Sequence, residues 1–319
     1  MAEPVEGHHH ALHIVTEIAR PSLVCDIREI RFLEMRRTAV LLFSSPVALA
    51  RKGVSAAIAQ LLIAHKGSVV HSDDHVDGGR ELFLSRLEWD LDHFDIPVSD
   101  FEAHFKPVVD QFQIKYHLAL SDYCPKVAIL VSSYDHCLAD LLYRYGSGEL
   151  GCELVWIISN HAKVGPLANF YGVPFHLLTN PQDKQASERE MLELLGQDVD
   201  LIVLARYMQI LSPEFVGQYL LRMINIHHSF LPAFVGAKPY HQAFERGVKL
   251  IGATSHYVTA VLDEGPIIEQ DLVRVSHRDT VDDMMRKGRD LERVVLSRAV
   301  RWHLENRVLV YQNKTVVFA

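Results

Sequence analysis

Three polar side chains on two segments of the chain have the types needed for chemistry at an acyl carbon. Asn225 and His227 stand two residues apart in the segment NIHHSFLP, and Asp263 lies further along in the segment LDEGPII. An amide can donate to a carbonyl oxygen, an imidazole can transfer a proton, and a carboxylate can act as a base. The set would support attack on a carbonyl carbon, with the developing oxyanion held by hydrogen bonds.

The local sequence indicates how these side chains could meet. An apolar strand pattern over residues 223–226 is broken by Pro232, so Asn225 and His227 are expected near a strand end, on one face. A glycine and a proline follow Asp263 closely and mark a turn that would present it to the same cleft. Taken singly, each residue has a structural alternative, because a buried histidine can simply bond a neighbouring asparagine and an aspartate can simply occupy a turn.

The two segments together resemble the folate-dependent formyltransferase family, whose N-I-H-x-S-x-L-P and L-D-x-G-x-I-I motifs carry a catalytic Asn, His and Asp. The motifs also stand at the family's usual separation. The resemblance continues from about Pro125 to the C-terminus through the segments ISN and ARYMQILS. It implies that Asn225, His227 and Asp263 are the catalytic residues.

Six further residues match substrate-binding positions of that family. They are Arg206, Tyr207 and Met208 in the loop expected to face the pterin, His256 on the strand before Asp263, and Lys238 and Tyr240 in a loop expected to meet the glutamate tail. Each also has an ordinary alternative: packing at a strand end, a core histidine, or a solvated loop lysine. The resemblance implies that these residues bind the folate.

The segment VSSYDHCLADLL at residues 131–142 bears on which nucleophile takes the formyl group. Relatives that use glycinamide ribonucleotide have a glycine-rich loop here, because backbone N–H groups cradle its phosphate. This segment has no glycine, Tyr134 is bulky, and Asp135 would repel a phosphate unless it only caps a helix. It resembles instead the D-H-C-L of the deformylases, whose acceptor is water.

The expected activity is therefore an enzymatic hydrolysis of 10-formyltetrahydrofolate to formate and tetrahydrofolate, which would supply formate and balance one-carbon folate pools for purine synthesis. Folate is the substrate, and we expect no metal site and no cofactor. Two alternatives stay open: transfer of the formyl group to an amine acceptor, and a catalytically silent folate and amino-acid sensor.

Strand and helix patterns between residues 37 and 120 alternate in the order βαββαβ, which is the ferredoxin-like arrangement. Placed before a formyltransferase-like domain, this unit resembles the ACT regulatory domain of the formyltetrahydrofolate deformylases. Such domains often bind a small amino acid and pair sheet edges between subunits, so the resemblance implies a homo-oligomer. The acidic residue of the family's ligand loop is missing from SPVALARKG at residues 45–53, so retention for assembly alone is the alternative to an amino-acid effector.

Residues 121–319 read as a second α/β domain. Short apolar runs alternate with helical segments, which predicts a Rossmann-like domain around a mostly parallel sheet, with the ligand cleft at the carboxyl ends of its strands. A long helix is predicted over 281–303, and two short strands over 308–311 and 315–318. Residues 1–36 show no clean periodicity and are left as an N-terminal extension of unknown role.

Composition narrows the class of partner. The chain has 319 residues and a formal net charge of −8, which suits two domains and argues against a nucleic-acid surface. No apolar stretch has the length of a bilayer span, so we expect no membrane partner. The four cysteines form no C-x-x-C pair, which favours free thiols in a reducing compartment. We therefore expect a cytoplasmic location.

Overall fold

The computed structural model describes residues 37–232 and 239–319. These residues belong to one compact unit, Arg36–Ala319. The predicted extension, residues 1–36, lies outside the described residues. The predicted domain boundary near residue 120 stays a prediction.

The first part of the described chain has the predicted βαββαβ order with one additional short helix. Its elements are β1 Thr38–Pro46, α1 Val47–Ala50, α2 Val54–Ala64, β2 Ser68–Asp77, β3 Leu82–Asp90, α3 Phe101–Phe112 and β4 Lys115–Leu120. The strands form an antiparallel sheet in the order β2-β3-β1-β4. A turn that contains Gly78 and Gly79 joins β2 to β3.

One face of this sheet is covered by α2 and α3, because both helices carry large apolar residues at helical spacing. Ile58 and Leu62 of α2 are buried against Phe101 and Phe105 of α3 and against Trp89 of β3. The rings of Trp89 and Phe101 stack with centroids 5.3 Å apart. Burial of such aromatic surface is the main source of stability for this part of the chain.

The second part of the chain forms the predicted mostly parallel sheet. Its elements are β5 Lys126–Val131, α4 His136–Gly146, β6 Glu153–Ser159, α5 Gly165–Phe170, β7 Phe175–Leu177, α6 Lys184–Leu195, β8 Leu201–Leu204, α7 Pro213–Gln218, β9 Met223–His227, α8 Pro239–Glu245, β10 Leu250–Tyr257, β11 Ile267–Arg274, α9 Val281–Leu304, β12 Val308–Tyr311 and β13 Lys314–Val317.

In the described residues, seven of these strands form one sheet in the order β11-β10-β9-β8-β5-β6-β7. The five strands from β9 to β7 are parallel, whereas β10 and β11 are antiparallel to their neighbours. Two hydrophobic clusters lie on its two faces. Ile224 and Ile226 of β9 point to the cluster formed with α4 and α9, and Met223 points to the cluster formed with α6 and α7. Asn225 and His227 share the face of Met223 by strand alternation.

Two helix starts bear on the sequence interpretation. Thr280 and Asp283 form a reciprocal capping box that begins the 24-residue helix α9, which satisfies two free N–H groups of its first turn. Asp135 occupies the N-cap position of α4 but its side chain makes no cap hydrogen bond. Its carboxylate instead lies 3.2 Å from Lys163 Nζ. Asp135 is therefore an ion-pair partner at this helix start.

Two expectations from composition can be compared with the described residues. Cys137 is a buried free cysteine, and Cys25 lies outside the described residues. Across residues 37–232 and 239–319, no helix combines the length and the apolar composition that a bilayer span requires.

Candidate active site

Asn225 and His227 lie at the carboxyl end of β9, where the strand leaves the sheet. Neighbouring β10 runs antiparallel to β9 and places His256 directly opposite Asn225. Asn225 Nδ2 lies 3.3 Å from His256 Nε2. The carboxyl edge of the sheet thus brings together one amide and two imidazoles, at the position where open α/β sheets bind ligands.

Asp263 joins this group from the turn between β10 and β11. Its Oδ2 lies 3.2 Å from His227 Nδ1 and its Oδ1 lies 3.6 Å from His256 Nε2. Asp263 has a φ of +57°, a left-handed conformation that non-glycine residues adopt at a cost in free energy. Gly265, two residues on, allows this shape, because a Cβ there would lie 1.7 Å from the Tyr257 carbonyl oxygen.

Asp263 is held in its ionised form. Partial burial alone would raise the pKa of this carboxyl, but hydrogen bonds with His227 and His256 outweigh burial and hold the pKa well below its usual range. The carboxylate therefore carries its negative charge at any pH at which the protein would work. An ionised carboxylate only accepts hydrogen bonds.

These contacts fix where the hydrogen atoms of the two imidazoles lie. Because Asp263 only accepts, the hydrogen on His227 is at Nδ1, and Nε2 faces Ser229 Oγ at 2.8 Å. His256 Nδ1 lies 2.9 Å from the Tyr257 carbonyl oxygen, so it also carries a hydrogen. His256 Nε2 lies 3.3 Å from Asn225 Nδ2 and 3.6 Å from Asp263 Oδ1, so it faces both residues.

His228 connects this cluster to a second buried polar group. Its ring stacks on His227 with centroids 5.3 Å apart and lies 6.1 Å from the ring of Tyr240. Burial, with help from the charge of Arg206, lowers the pKa of His228 to about 4. His228 is consequently a neutral ring between His227 and Tyr240 at neutral pH.

Glu292 is the centre of that second group. It is 1% exposed on α9 and its two oxygens lie 2.8 Å from Tyr240 Oη and from His136 Nε2. Arg206 Nε lies 3.5 Å from the same carboxylate. Burial alone would raise the pKa of Glu292, but His136, Arg206 and Tyr240 together lower it. The result is a buried, ionised carboxylate with compensated charge.

His136, Cys137 and Glu292 could together hold a metal ion by position, since their ligand atoms lie within 4.8 Å of one another. The donor chemistry is unfavourable for one. Burial raises the pKa of the Cys137 thiol well above its usual value, so a metal would have to displace the thiol proton inside the core. The charge of Glu292 is already balanced by Arg206. This group fits a core polar network better than a metal centre.

The residues expected to bind substrate lie in different surroundings. His256 is part of the catalytic cluster. Arg206 and Tyr240 are buried around Glu292, and Arg206 also lies with Cζ 5.3 Å from the ring centroid of Tyr134. Tyr207 is buried, with its hydroxyl 3.0 Å from Gln209 Oε1. Met208 is 54% exposed. Lys238 lies outside the described residues.

Three residues of the site were missed by sequence reasoning: Ser229, His136 and Glu292. Ser229 stands inside the recognised motif, so its contact with His227 could have been anticipated. Glu292 also left a signal, because it lies one helical turn after Gly288 and three residues before buried Val295, on the apolar face of α9. An acidic residue at such a position needs a buried partner.

Comparison with known proteins agrees with this geometry. The family model described as formyl transferase matches residues 125–300. A curated formyltetrahydrofolate deformylase of Synechocystis is 54% identical over 284 residues, which is 88% of this chain and 99% of that protein. The chain belongs to the formyltetrahydrofolate deformylase family. The deformylase of Bacillus subtilis is 48% identical, over 83% of this chain and 90% of its own.

The family likeness extends to the whole fold. A crystal structure of a formyltetrahydrofolate deformylase from Pseudomonas syringae is 44% identical and matches with a TM-score of 0.85. The match covers 92% of this chain and 99% of that one. The predicted fold class, a mixed α/β chain with a mostly parallel sheet, is therefore confirmed, and the match includes the antiparallel sheet of β1 to β4.

Proposed function

We propose that the protein hydrolyses 10-formyltetrahydrofolate to formate and tetrahydrofolate, in line with the deformylases to which it is similar. The observation that carries this proposal is the cluster of Asn225, His227 and Asp263, joined by contacts of 3.2 to 3.6 Å through His227 and His256. The reaction uses the folate and water, so none of its steps calls for a bound metal or nucleotide. A silent sensor would have no need for such a cluster.

Asn225 is the proposed donor to the formyl oxygen. Its Nδ2 lies 3.3 Å from His256 Nε2, a contact that fixes the orientation of the amide and its N–H groups for the substrate. As water adds to the formyl carbon, negative charge develops on the oxygen, and a fixed donor stabilises the charge more than it stabilises the neutral carbonyl. The amide donates at any physiological pH.

His227 is the proposed proton-transfer residue and Asp263 its partner. The sequence alone left open whether Asp263 takes a proton from water or holds His227. The low pKa of Asp263 favours the second role, because a strongly stabilised carboxylate is a weak base. His227 Nε2, which bears no hydrogen in the neutral ring, can then take a proton from water and deliver it to the departing folate nitrogen.

The surroundings of the segment 131–142 support water as the acceptor. The ring of Tyr134 lies against Arg206, and Lys163, a second cation beside this segment, is paired with Asp135. A phosphate at this helix start would therefore meet a ring, a carboxylate and no glycine backbone. Acceptor choice would be made by this pocket, because the catalytic residues serve either nucleophile.

Product analysis tests the proposal. The protein is incubated with 10-formyltetrahydrofolate, with and without an excess of glycinamide ribonucleotide. We expect the same rate of tetrahydrofolate release in both samples, with free formate as the product. Stoichiometric replacement of formate by formylglycinamide ribonucleotide would instead establish the amine-transfer alternative. Absence of turnover with tight folate binding would favour the sensor.

The folate-binding roles of His256, Arg206, Tyr207, Met208, Lys238 and Tyr240 are also proposals. His256 has the most direct support, since it contacts both Asn225 and Asp263. Arg206 and Tyr240 are turned toward Glu292, so we assign them to shaping the pocket wall. Met208 has the exposure needed to contact a ligand.

We propose that the chain forms a homo-oligomer through β2. This strand is at one edge of its sheet, is ten residues long, and exposes Val69, Val70 and Val76. A long exposed edge with apolar side chains favours pairing with a second copy. Replacing Val70 and Val76 by lysine should lower the mass measured by light scattering, and an unchanged mass would place the interface elsewhere.

We also propose an amino-acid effector and a cytoplasmic location. The first rests on the ACT-like sheet, although Ser45 to Gly53 lacks the acidic residue of the ligand loop. Calorimetry with glycine and methionine tests the effector. If no heat of binding is measured, the ACT-like sheet serves assembly alone. The cytoplasmic location rests on the free thiol of Cys137, which suits a reducing compartment, and it is tested by fractionation of cells.

A further inference from the structure

The hairpin of β12 and β13 is packed on both of its faces. Leu309, Tyr311 and Val316 lie on one face, against Leu42 and Leu84 of the antiparallel sheet. Val308, Val310 and Val317 lie on the other face, against the core under the parallel sheet. Alternation along two paired strands produces this division. The hairpin is therefore a layer between the two sheets.

Polar contacts fasten the hairpin to the antiparallel sheet. Tyr311 Oη donates to Asp77 Oδ2 at 3.1 Å, at the end of β2. Arg86, which is 4% exposed on β3, donates through Nε to the Asn306 carbonyl oxygen at 3.0 Å, just before β12 begins. A buried guanidinium bonded to main chain fixes the approach of the hairpin strongly.

Two side chains on the opposite side of the hairpin bond the turn that carries Asp263. Asn313 Nδ2 donates to the Glu264 carbonyl oxygen at 2.9 Å, and Thr315 Oγ1 donates to the Ile267 carbonyl oxygen at 2.5 Å. These two bonds lie on either side of the glycine and proline of the turn. The carbonyl directly after Asp263 is thus held by the hairpin.

The backbone conformation of Asp263 requires support from its surroundings. Its backbone is left-handed, with a φ of +57°, and a residue in that region persists only where its surroundings hold it. The catalytic contact with His227 spans 3.2 Å, so a small shift of the turn would break it. Misplacement of a catalytic group by about 1 Å can cost up to about 10²-fold in rate.

We propose that Asn313 and Thr315 are positioning residues for Asp263, and that the hairpin makes the position of Asp263 depend on the antiparallel sheet. This inference rests on the proposed hydrolysis, because a displaced Asp263 would lower kcat for that reaction. Neither side chain would touch substrate. Both would act through main-chain carbonyls of the Asp263 turn.

Two variants of Thr315 test the first half. Thr315→Val keeps the shape and removes the donor, whereas Thr315→Ser keeps the hydroxyl. We expect kcat to fall by about tenfold in Thr315→Val, with KM changed by less than about twofold, and to recover in Thr315→Ser. Asn313→Ala should lower kcat in the same way. Wild-type kcat in folded Thr315→Val and Asn313→Ala would overturn the assignment.

Hydrogen exchange separates this inference from the proposed function. Loss of either donor should speed amide exchange in residues 261–267 relative to the wild type, and this readout needs no turnover. A wild-type protein that releases no formate would contradict the hydrolysis proposal alone. Unchanged exchange in both variants would contradict the positioning role alone.

The second half is tested at the far side of the hairpin. Tyr311→Phe removes only the hydroxyl that bonds Asp77, and Tyr311 is outside the cluster of Asn225, His227 and Asp263. We expect kcat to fall by about threefold and exchange in 261–267 to rise, because the hairpin is less firmly held. Tyr143→Phe, at an exposed tyrosine on α4, is the matched control and should change neither. Identical results for the two variants would overturn the dependence on the antiparallel sheet.

Discussion

Asp263 Oδ2 lies 3.2 Å from His227 Nδ1, although one residue is in a turn and the other ends a buried strand. The contact is made because β10 pairs antiparallel with β9 and places His256 opposite Asn225, and the turn after β10 folds back so that Asp263 reaches both His256 and His227. It fixes the tautomer of His227 and leaves Nε2 as the nitrogen that can exchange a proton with a reactant.

Replacing Asp263 by asparagine should lower kcat by at least about 10²-fold, because the amide keeps the size but cannot stabilise a positive imidazole. Folate binding, measured by calorimetry, should change little. Glu264→Gln removes an acidic side chain from the next, exposed position while keeping its carbonyl, and should retain activity. Near-normal turnover in a folded Asp263→Asn protein would contradict the assignment.

Asn225→Ala should lower kcat by about 10² to 10³-fold if the amide donates to the oxyanion. KM should change less, because the interaction strengthens only as charge develops. Asn169→Ala, at an exposed asparagine on α5, is a control for the substitution itself. Steady-state kinetics on both variants checks the prediction, and a loss seen only in KM would assign Asn225 to ground-state binding.

The free energy of unfolding should decrease as the pH falls from about 6.5 to about 4. Burial lowers the pKa of His228 and of His303 from 6.5 to about 4. The unfolded chain therefore binds more protons in this window, so the contribution present above pH 6.5 is lost as the pH falls through the folded pKa. His228→Gln should flatten part of this slope in melting temperatures measured from pH 4 to pH 7. An identical slope would show that other groups dominate acid unfolding.

Gly288→Ala should destabilise the protein through Tyr240. A Cβ at this position of α9 would lie 1.9 Å from Tyr240 Oη, so the hydroxyl would have to leave Glu292. We expect a loss of about 1 to 3 kcal/mol in the free energy of unfolding, as for overpacked cores. Gly217→Ala in α7 meets open space and should be neutral or stabilising. Equal effects in denaturant titrations would contradict this packing argument.

Local patterns predicted the elements well. The bounds of β12 and the start of α9 agree with the predicted ranges 308–311 and 281–303, because apolar side chains there alternate or recur regularly. The sequence also predicted that His227 and Asp263 would meet, since family motifs carry that information. The four strands of the antiparallel sheet followed from the same reading.

Local sequence patterns could not predict the hydrogen-bond network around Glu292. Glu292 bonds Tyr240 across 52 residues and His136 across 156, and nothing in the neighbourhood of any of the three indicates the others. The direction of the Arg206 side chain could not be predicted from the sequence either. Its φ of +62° turns the side chain toward Glu292, and a positive φ at arginine has no signal in the sequence.

The two-sided packing of the hairpin also constrains the order in which the protein can be completed on the ribosome. Arg86 and Asn306 are 220 residues apart in the chain, which corresponds to roughly 10 to 40 s of synthesis at typical rates. During this interval Leu42 and Leu84 lack the apolar cover that Leu309 and Phe318 later provide. The nascent antiparallel sheet therefore shows an uncovered apolar patch to chaperones and to other nascent chains until the hairpin has been made.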